Sequence, residues 1–395
     1  MRDIISASRY TLVNALGICY AFALMQGLDW IAIVYISAIL IGSTLDDGIG
    51  DKDLNLSSTA QWIYNLNLYI TVPVLGLIML LQLHHLTSAD PIGLRALIQS
   101  YGFEMRPVIE RDGWGIMIWM IMGTGYFYSL LGMTVAHELC HRSSKFDNIA
   151  GKILLAFNMN ASFAIAHVHG HHRNVSTLKD PGTARRNEYV LNFAIRSTVS
   201  QHIEAFEIEA KRLQRKALPF WSWHNRAIRD QFYPIALLII AYAIAGITGL
   251  IGVIISGIVG SLLQKMIDYS QHYGLVRIEG SKVENRHSWE CHRLLSNLIQ
   301  FNLPLHAHHH RSARAPFWEL KPDDGAPRLP IAYQSASLIA LVPPLWKLIV
   351  DPILYDWDNT MANEEERALI RERGWEIKKD SWGTIPNWYK KLLNL

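Results

Sequence analysis

The sequence predicts an all-α membrane protein in which six transmembrane helices carry a histidine-rich cap on the cytoplasmic side. Three observations support this fold class. Half of the 395 residues are hydrophobic and only 18% are charged, against about a quarter in soluble domains. The apolar residues gather into runs that approach the roughly 20 residues needed to cross a bilayer. Seventeen histidines are present, and most of them lie in short clusters outside these runs.

Six apolar runs give the predicted spans, which belong to a single domain over residues 1–395: 10–26, 29–45, 66–86, 113–135, 231–247 and 249–268. The last two come from one run that is too long for a single span. Gly246 and Gly249 favour its division into a tight helical hairpin. We interpret the N-terminal run as a first membrane helix, because no small-residue cleavage site of a signal peptide follows it.

Three further segments are predicted to lie outside the spans. Pro343 and Pro344 interrupt the apolar run 331–350, which favours an interfacial or core segment over a seventh span. The segment 189–216 is amphipathic and polar enough for a helix outside the membrane. The charged residues of 356–380 predict a solvated helix.

The basic residues predict which parts face the cytoplasm. Residues 136–230 contain 14 Lys and Arg against 8 Asp and Glu, and an excess of this kind marks cytoplasmic loops. Six spans then place the segments 136–230 and 269–395 and both termini on the cytoplasmic side. The net charge of +3 gives no electrostatic case for nucleic acid binding. The three cysteines form no CxxC pair and support neither a disulfide framework nor a zinc ribbon.

Histidines recur at helical spacing in three clusters. In HELCHR, at 137–142, two histidines four residues apart project from one face of a helix. The other clusters are HVHGHHR at 167–173 and LHAHHHR at 305–311. The eight candidate ligands on the shared faces are His137, His141, His167, His171, His172, His306, His309 and His310.

Three more histidines need separate interpretation. His169 and His308 fall off the shared faces and are interpreted as bystanders. His272 is a single histidine in DYSQHYGL, directly after the last predicted span, and a lone histidine is usually a satisfied polar residue. It becomes a ninth candidate only through this setting together with the resemblance described below. The three clusters and His272 all follow even-numbered spans, so we expect them to gather on one side of the membrane.

Nine imidazoles exceed the capacity of one metal ion, but divided as four and five they would fill two sites and leave positions open for oxygen. Imidazole suits iron, zinc and copper. The set therefore predicts a dinuclear centre with two iron ions, although spacing alone leaves dicopper open. Carboxylates usually orient metal-bound imidazoles, and Glu138, Asp180 and Asp268 are the candidates for this role.

The motifs resemble those of the integral-membrane alkane hydroxylases and of the hydroxylase component of xylene monooxygenase. The shared elements, in order, are HELCHR, HxxxHH, QHYGLVR and HxxHH. KDPGTA after the second cluster and FWELKPDDGAPRLP, VPPLW and DW near the C-terminus add to the resemblance. HYG is the most discriminating element, because fatty-acid desaturases and sterol hydroxylases have histidine clusters without it.

The resemblance implies six transmembrane helices capped by a cytoplasmic di-iron site whose ligands are the nine histidines, His272 included. It implies insertion of one atom of O2 into a terminal or benzylic methyl C–H bond of a hydrocarbon. Electrons would come from a rubredoxin or from a ferredoxin-type flavin reductase. The implied location is the bacterial inner membrane, surrounded by lipid, with the site on the cytoplasmic side.

Three positions depart from the alkane hydroxylase pattern. Ala166 and Gln271 stand where glutamate is usual before the second cluster and before HYG, and NLPLHA replaces an LQRHS-like run. Both substitutions are similar to the xylene-type branch, as are LVR after HYG and FWEL after the third cluster. Linear alkanes and alkyl-arenes are therefore both open as substrates.

Two other functions compete with hydrocarbon hydroxylation. A fatty-acid or lipid desaturase or hydroxylase would use the same kind of histidine site and would differ in its product. A metal transporter would place its ligands near the membrane midplane on discontinuous helices, whereas these histidines are predicted at helix ends and in loops.

Overall fold

Helices account for nearly all of the regular structure in the computed structural model, which describes residues 2–26, 28–51, 56–110 and 114–378. Within these ranges the β pairing consists of two isolated bridges, Asp51 with Arg293 and Glu290 with Arg328. The all-helical class predicted from the sequence is therefore confirmed.

The first nine helices include three of the long apolar ones. They are α1 Arg2–Ser8, α2 Thr11–Gln26, α3 Leu28–Leu40, α4 Asp46–Ile49, α5 Gln61–His85, α6 Leu94–Ser100, α7 Trp114–Phe127, α8 Thr134–Cys140 and α9 Lys145–Phe157. The π-helical turns Ile41–Leu45 and Tyr128–Met133 continue α3 into α4 and α7 into α8. Short 3-10 turns cover Ser58–Ala60 and Val108–Glu110.

The remaining helices carry most of the histidines and the C-terminal segment. They are α10 Phe163–Ala166, α11 His172–Asn174, α12 Val190–Arg215, α13 Arg226–Arg229, α14 Phe232–His272, α15 Leu294–Ile299, α16 His306–Arg311, α17 Tyr333–Ala340, α18 Pro343–Asp356 and α19 Glu364–Glu372. Two π-helical turns cover His167–His171 and Trp357–Met361, and 3-10 turns cover Asn285–His287 and Phe317–Glu319.

Four helical stretches are long and apolar enough to cross a membrane: Trp30–Ile49, Ser58–His85, Gly115–Cys140 and Arg226–His272. The first three overlap the spans predicted second, third and fourth, and the last contains both spans predicted in the long run. α2 lies where the first span was predicted, and its 16 residues rise about 24 Å. The chain is therefore a membrane protein with at least four candidate crossings.

α14 turns back on itself near its middle. Ala245 and Gly246 have non-helical backbone angles, and the φ of 57° at Gly246 is a left-handed value that glycine adopts without strain. A Cβ atom on Gly249 would lie 2.7 Å from the carbonyl oxygen of Ala241, although these residues would be about 12 Å apart in a straight helix. The chain therefore folds back here, and the arm 247–272 carries His272 to the other histidines.

The polar segments outside the long helices also have defined structure. The apolar run 331–350 is divided between α17 and α18, with Pro343 as the first residue of α18, and α17 packs against α14. α12 occupies the segment predicted at 189–216. α19 lies within 356–380, of which residues 379 and 380 are outside the described residues.

α7 and α14 pack closely because a glycine on one helix faces the backbone of the other. A Cβ atom on Gly125 would lie 2.7 Å from the carbonyl oxygen of Ser256 and 2.6 Å from Cγ1 of Val259. Small residues bring membrane helices together in this way. This contact places the arm of α14 that ends in His272 beside the helix that continues into α8.

We expect Gly125→Ala to lower the free energy of unfolding by about 1–3 kcal/mol, because the added methyl group meets backbone that cannot rotate away. Gly76→Ala in α5 is the matched control, since no atom lies within 4 Å of its Cβ position. Alanine's higher helix propensity predicts unchanged or slightly higher stability there. Unfolding of both purified variants by SDS in mixed micelles measures the difference, and equal stability would contradict the close packing of α7 on α14.

Candidate metal centre

The nine candidate histidines come from four segments that meet at one place in the fold. They lie at the end of α8, in the π-helical turn before α11, at the last residue of α14 and on α16. Their nitrogen atoms form two groups, and within each group they lie within 4.8 Å of one another. The first group is His137, His141, His167, His172 and His309, and the second is His171, His272, His306 and His310.

The second histidine cluster contributes to both groups, as α16 does, and its backbone is irregular. His167 and His171 lie in a π-helical turn, and His172 begins α11. His167 and His172 belong to the first group, whereas His171 belongs to the second. π-helical turns are frequent at functional sites, and this one lets a single segment connect the two groups.

Several Nε2 atoms lie closer together than is expected for neutral imidazole rings that have no ion between them. Nε2 of His172 lies 3.1–3.2 Å from the same atom of three histidines: His141, His167 and His309. Nε2 of His306 lies 3.0 Å from Nε2 of both His272 and His310. A neutral imidazole has one N–H, so these contacts cannot all be hydrogen bonds. They fit a shared cation, because nitrogens bound at right angles about 2.1 Å from one ion would be about 3.0 Å apart.

Burial and the neighbouring imidazoles keep these rings uncharged. The pKa values of His167, His172 and His309 lie well below the usual value for histidine, first because of burial and then because of the adjacent imidazoles. Burial, followed by the effect of His171, lowers the pKa of His141 to about 4. At neutral pH these rings are neutral and can offer a lone pair to a metal ion.

Asp180 is the carboxylate that holds one of the rings. It accepts hydrogen bonds from Nδ1 of His171 at 2.9 Å, from the hydroxyl of Thr183 at 2.6 Å and from the backbone N–H of Gly182 at 2.9 Å. Burial favours a higher pKa for Asp180, but His171 and the other donors lower it overall. The ionised carboxylate fixes the orientation of His171 and adds negative charge beside the second group.

The other two carboxylates that were predicted to orient histidines bind basic side chains instead. Glu138 accepts from Arg142 at 2.9 Å, and Asp268 accepts from Lys265 at 2.9 Å. Within the ranges that the structure describes, neither carboxylate hydrogen-bonds to an imidazole. Of the three carboxylates predicted from the sequence, Asp180 is thus the one that contacts a candidate ligand.

The two histidines interpreted as bystanders lie outside both groups. His169 is exposed, and its Nε2 lies 3.4 Å from Arg226. Nδ1 of His308 accepts from the backbone N–H of Lys321 at 2.8 Å. Their side chains therefore contact neighbouring protein groups and do not belong to either group of candidate ligands.

Arg277 fixes the segment after the second cluster, a role that histidine spacing could not indicate. Its buried guanidinium donates to the carbonyl of Val175 at 2.8 Å, to that of Arg173 at 2.7 Å and to that of Ser281. Its backbone N–H donates to the carbonyl of Ser176 at 2.7 Å. These bonds hold the segment QHYGLVR against the residues that follow His172. The only indication of this role of Arg277 in the sequence was its position in that motif.

A polar pocket adjoins the histidines and is lined by residues that include His137, His171 and His306. In it, Nζ of Lys265 is bound by Oε1 of Gln201 at 2.6 Å and by Asp268, so the buried cation has an anionic partner. Glu204 also lines this pocket, and burial raises its pKa to about 7. The site thus contains acid–base groups in addition to candidate ligands.

Residues 112–324, more than half of the chain, match the sequence model of the fatty acid desaturase family. This region contains all nine histidines of the two groups. The chain belongs to the fatty acid desaturase family.

Relatives in this family carry monooxygenase names. Alkane 1-monooxygenases 1 and 2 of Pseudomonas aeruginosa are 33% and 34% identical to the chain over 265 and 247 residues. These alignments cover 66% and 61% of this chain and 66% and 63% of the relatives, just under two thirds of their lengths. The xylene/toluene monooxygenase hydroxylase component of Pseudomonas putida is 26% identical over 380 residues, which is 93% of this chain and 96% of that protein. The resemblance inferred from the motifs is confirmed.

Proposed function

We propose that this protein is a di-iron monooxygenase that hydroxylates a terminal or benzylic methyl group of a hydrocarbon. The observation that carries the proposal is the convergence of five and four imidazole nitrogens on two neighbouring positions in a membrane protein. In the reaction, one oxygen atom of O2 enters the methyl C–H bond and the other leaves as water. Two electrons and two protons are consumed, and the electrons come from a separate donor.

Two iron ions fit the residues present. The first group of five imidazoles would hold one iron and the second group of four would hold the other. When bound, the irons supply the O2 activation that an unreactive C–H bond requires and that no side chain can provide. Zinc has no redox chemistry, and copper is distinguished by measurement of the bound metal.

A cavity of about 120 Å³ lies between α3, α7, α14 and α17. We call it the inter-helix cavity, and its apolar walls are formed by Ile39, Leu130, Leu263, Met266, Ile267 and Leu338. Gln264 lines both this cavity and the polar pocket with His137 and His306. A hydrocarbon gains about 0.8 kcal/mol per CH2 on leaving water, so the membrane concentrates it near this cavity.

The polar pocket suits the supply of protons. The carboxyl group of Glu204, whose pKa burial raises to about 7, can take up and release a proton near neutral pH. Lys265, Asp268 and Gln201 form a continuous hydrogen-bonded set in the same pocket. In this proposal the inter-helix cavity would hold the hydrocarbon, and the polar pocket would carry protons.

We further propose the topology implied by the six predicted spans, with α2 and the two arms of α14 counted as crossings. The histidines would then face the cytoplasm from the bacterial inner membrane, in agreement with the basic segment 136–230. A rubredoxin or a ferredoxin-type flavin reductase would deliver the electrons on that side. A cysteine-accessibility map of Gly48→Cys and Gly280→Cys in intact cells tests the orientation, because the proposal places these residues on the cytoplasmic side.

A fatty-acid or lipid desaturase is the competing function. The family name permits it, but the relatives that align over most of their lengths are named for hydroxylation of alkanes and xylene or toluene. A metal transporter is not favoured, because the histidines lie at helix ends and in short turns. Hydroxylation is therefore the function that the site and the relatives support best.

The test is a cell assay in which n-octane, p-xylene and a fatty acid are offered in parallel under 18O2. We expect a primary or benzylic alcohol that contains one labelled oxygen, formed only in cells with an intact second group of histidines. The purified protein should contain two irons per chain. A double bond in an acyl chain without any free alcohol, or copper in place of iron, would contradict the proposal.

A further inference from the structure

The inter-helix cavity has hydrogen-bonding side chains that a plain hydrocarbon would not need. Ser129, Thr134 and Gln300 line it and are 7%, 4% and 4% exposed. None of their side chains hydrogen-bonds to another part of the chain in the ranges described. Three buried polar groups from three segments therefore face one space without a protein partner.

Other polar residues of the same cavity do have partners. The hydroxyl of Ser337 donates to the carbonyl of Tyr333 at 2.9 Å. Nε2 of Gln334 donates to the hydroxyl of Tyr126 at 2.7 Å, whereas its Oε1 is buried without a partner among the described residues. The unpartnered state is thus a property of particular side chains and not of every polar group in the wall. This contrast supplies a matched control within the cavity.

Ser129 and Thr134 lie within the candidate membrane span Gly115–Cys140, whereas Gln300 lies outside the candidate spans. A buried donor or acceptor without a partner is destabilising, and polar residues inside membrane segments usually mark a pathway or a binding site. Alanine, valine and leucine would line a site for xylene or octane without this cost. The cost is offset if a bound molecule brings its own hydrogen-bonding group.

The cavity is partly open at the protein surface, so its size indicates the scale of a bound group and sets no upper limit on the length of the ligand. At about 120 Å³ it is somewhat smaller than the cavity of about 150 Å³ that holds one benzene ring in an engineered protein. One substituted ring is therefore the scale of molecule that fits with small movements of the walls. A long linear chain would have to extend beyond the cavity.

We propose that the inter-helix cavity selects a methylated ring that carries one neutral hydrogen-bonding substituent, such as a hydroxyl group. The substituent would bond to Gln300, Ser129 or Thr134, and the methyl group would lie toward Gln264 and the histidines. This inference rests on the proposed function, because it names the substrate class of the same site. It leaves the reaction and its balance of oxygen, electrons and protons unchanged.

The decisive comparison uses two substrates of the same shape, p-xylene and 4-methylphenol, in which one methyl group is replaced by hydroxyl. Hydroxylation of the methyl group is measured for the full-length protein in membranes. The value of kcat/KM is divided by the number of methyl groups, and KM is expressed as the concentration of substrate within the membrane. We expect the wild-type ratio to favour 4-methylphenol by between about twofold and tenfold, the range of one net neutral hydrogen bond.

Three variants separate hydrogen bonding from shape. Gln300→Leu and Ser129→Ala should lower the ratio of 4-methylphenol to p-xylene toward one. Ser337→Ala should keep the wild-type ratio, because that hydroxyl already donates to the backbone. Ser129→Ala removes a single atom and decides the question if Gln300→Leu fails to retain iron or does not fold.

The outcomes separate this inference from the function on which it rests. A wild-type preference for p-xylene that neither variant changes would overturn the selection of a polar substituent, while the proposed function would stand. Equal effects of Ser337→Ala and Ser129→Ala on the ratio would also overturn it. Absence of hydroxylation of p-xylene, 4-methylphenol and n-octane alike would overturn the proposed function and the inference together.

Discussion

His272→Ala is expected to abolish methyl hydroxylation and to lower the bound iron of the purified protein below two per chain. The second group has four imidazoles, and Nε2 of His272 lies 3.0 Å from Nε2 of His306. Its loss would leave three imidazoles in the second group. Iron content by elemental analysis and product formation from p-xylene, measured on the same preparation, check this prediction.

His308→Ala is the matched control, because His308 belongs to a histidine cluster but lies outside both groups. It should retain iron and most of the activity. Retained activity in His272→Ala would show that this residue is not a ligand. Loss of iron in His308→Ala would show instead that the wrong face of α16 had been assigned to the metal.

The histidine spacing in the sequence indicated eight members of the two groups, because residues three or four apart share a helical face. His272 could not be found in this way. It is a single residue, and its neighbours in space come from α16 and from the second cluster. Only the similarity of HYGLVR to a known motif identified it, since periodicity does not report which distant segments meet.

The division of the second cluster between the two groups was also beyond a sequence argument. Regular α-helical spacing would place His167 and His171 on one face, yet they belong to different groups. The reason is the π-helical turn His167–His171, whose hydrogen bonding depends on the surrounding packing. The same limit applies to Asp180, whose contact with His171 depends on the turn through Gly182 and Thr183.

The apolar runs located the long helices well, because hydropathy reports burial in lipid directly. The fold-back of α14 lies at Gly246, within the region where glycines had suggested a division. The inter-helix cavity is different, because its unpartnered groups come from a π-helical turn, from α8 and from Gln300 after α15. No local pattern in the sequence predicts that these three segments share a space.

Asp180→Asn is expected to weaken iron binding or activity by roughly 10–100-fold, the usual effect of losing a carboxylate behind a metal-bound histidine. Asparagine keeps the shape and can still accept from Nδ1 of His171, so the change removes mainly the negative charge. The effect should be large here because Nδ1 of His272 and of His310 has no hydrogen-bond partner among the described residues. Asp180 is thus the charged support of the second group.

The control for Asp180→Asn is Asp46→Asn. The carboxylate of Asp46 is also buried, but it hydrogen-bonds to residues other than the candidate histidines. Asp46 accepts from the backbone N–H groups of Leu295 and Ser296 at 2.7 Å each. Its loss should lower thermal stability without changing the affinity for iron, measured by competition with a chelator. If Asp180→Asn also lowers only stability, its carboxylate is a structural group. If iron affinity falls while stability is retained, the negative charge beside His171 is part of the metal site.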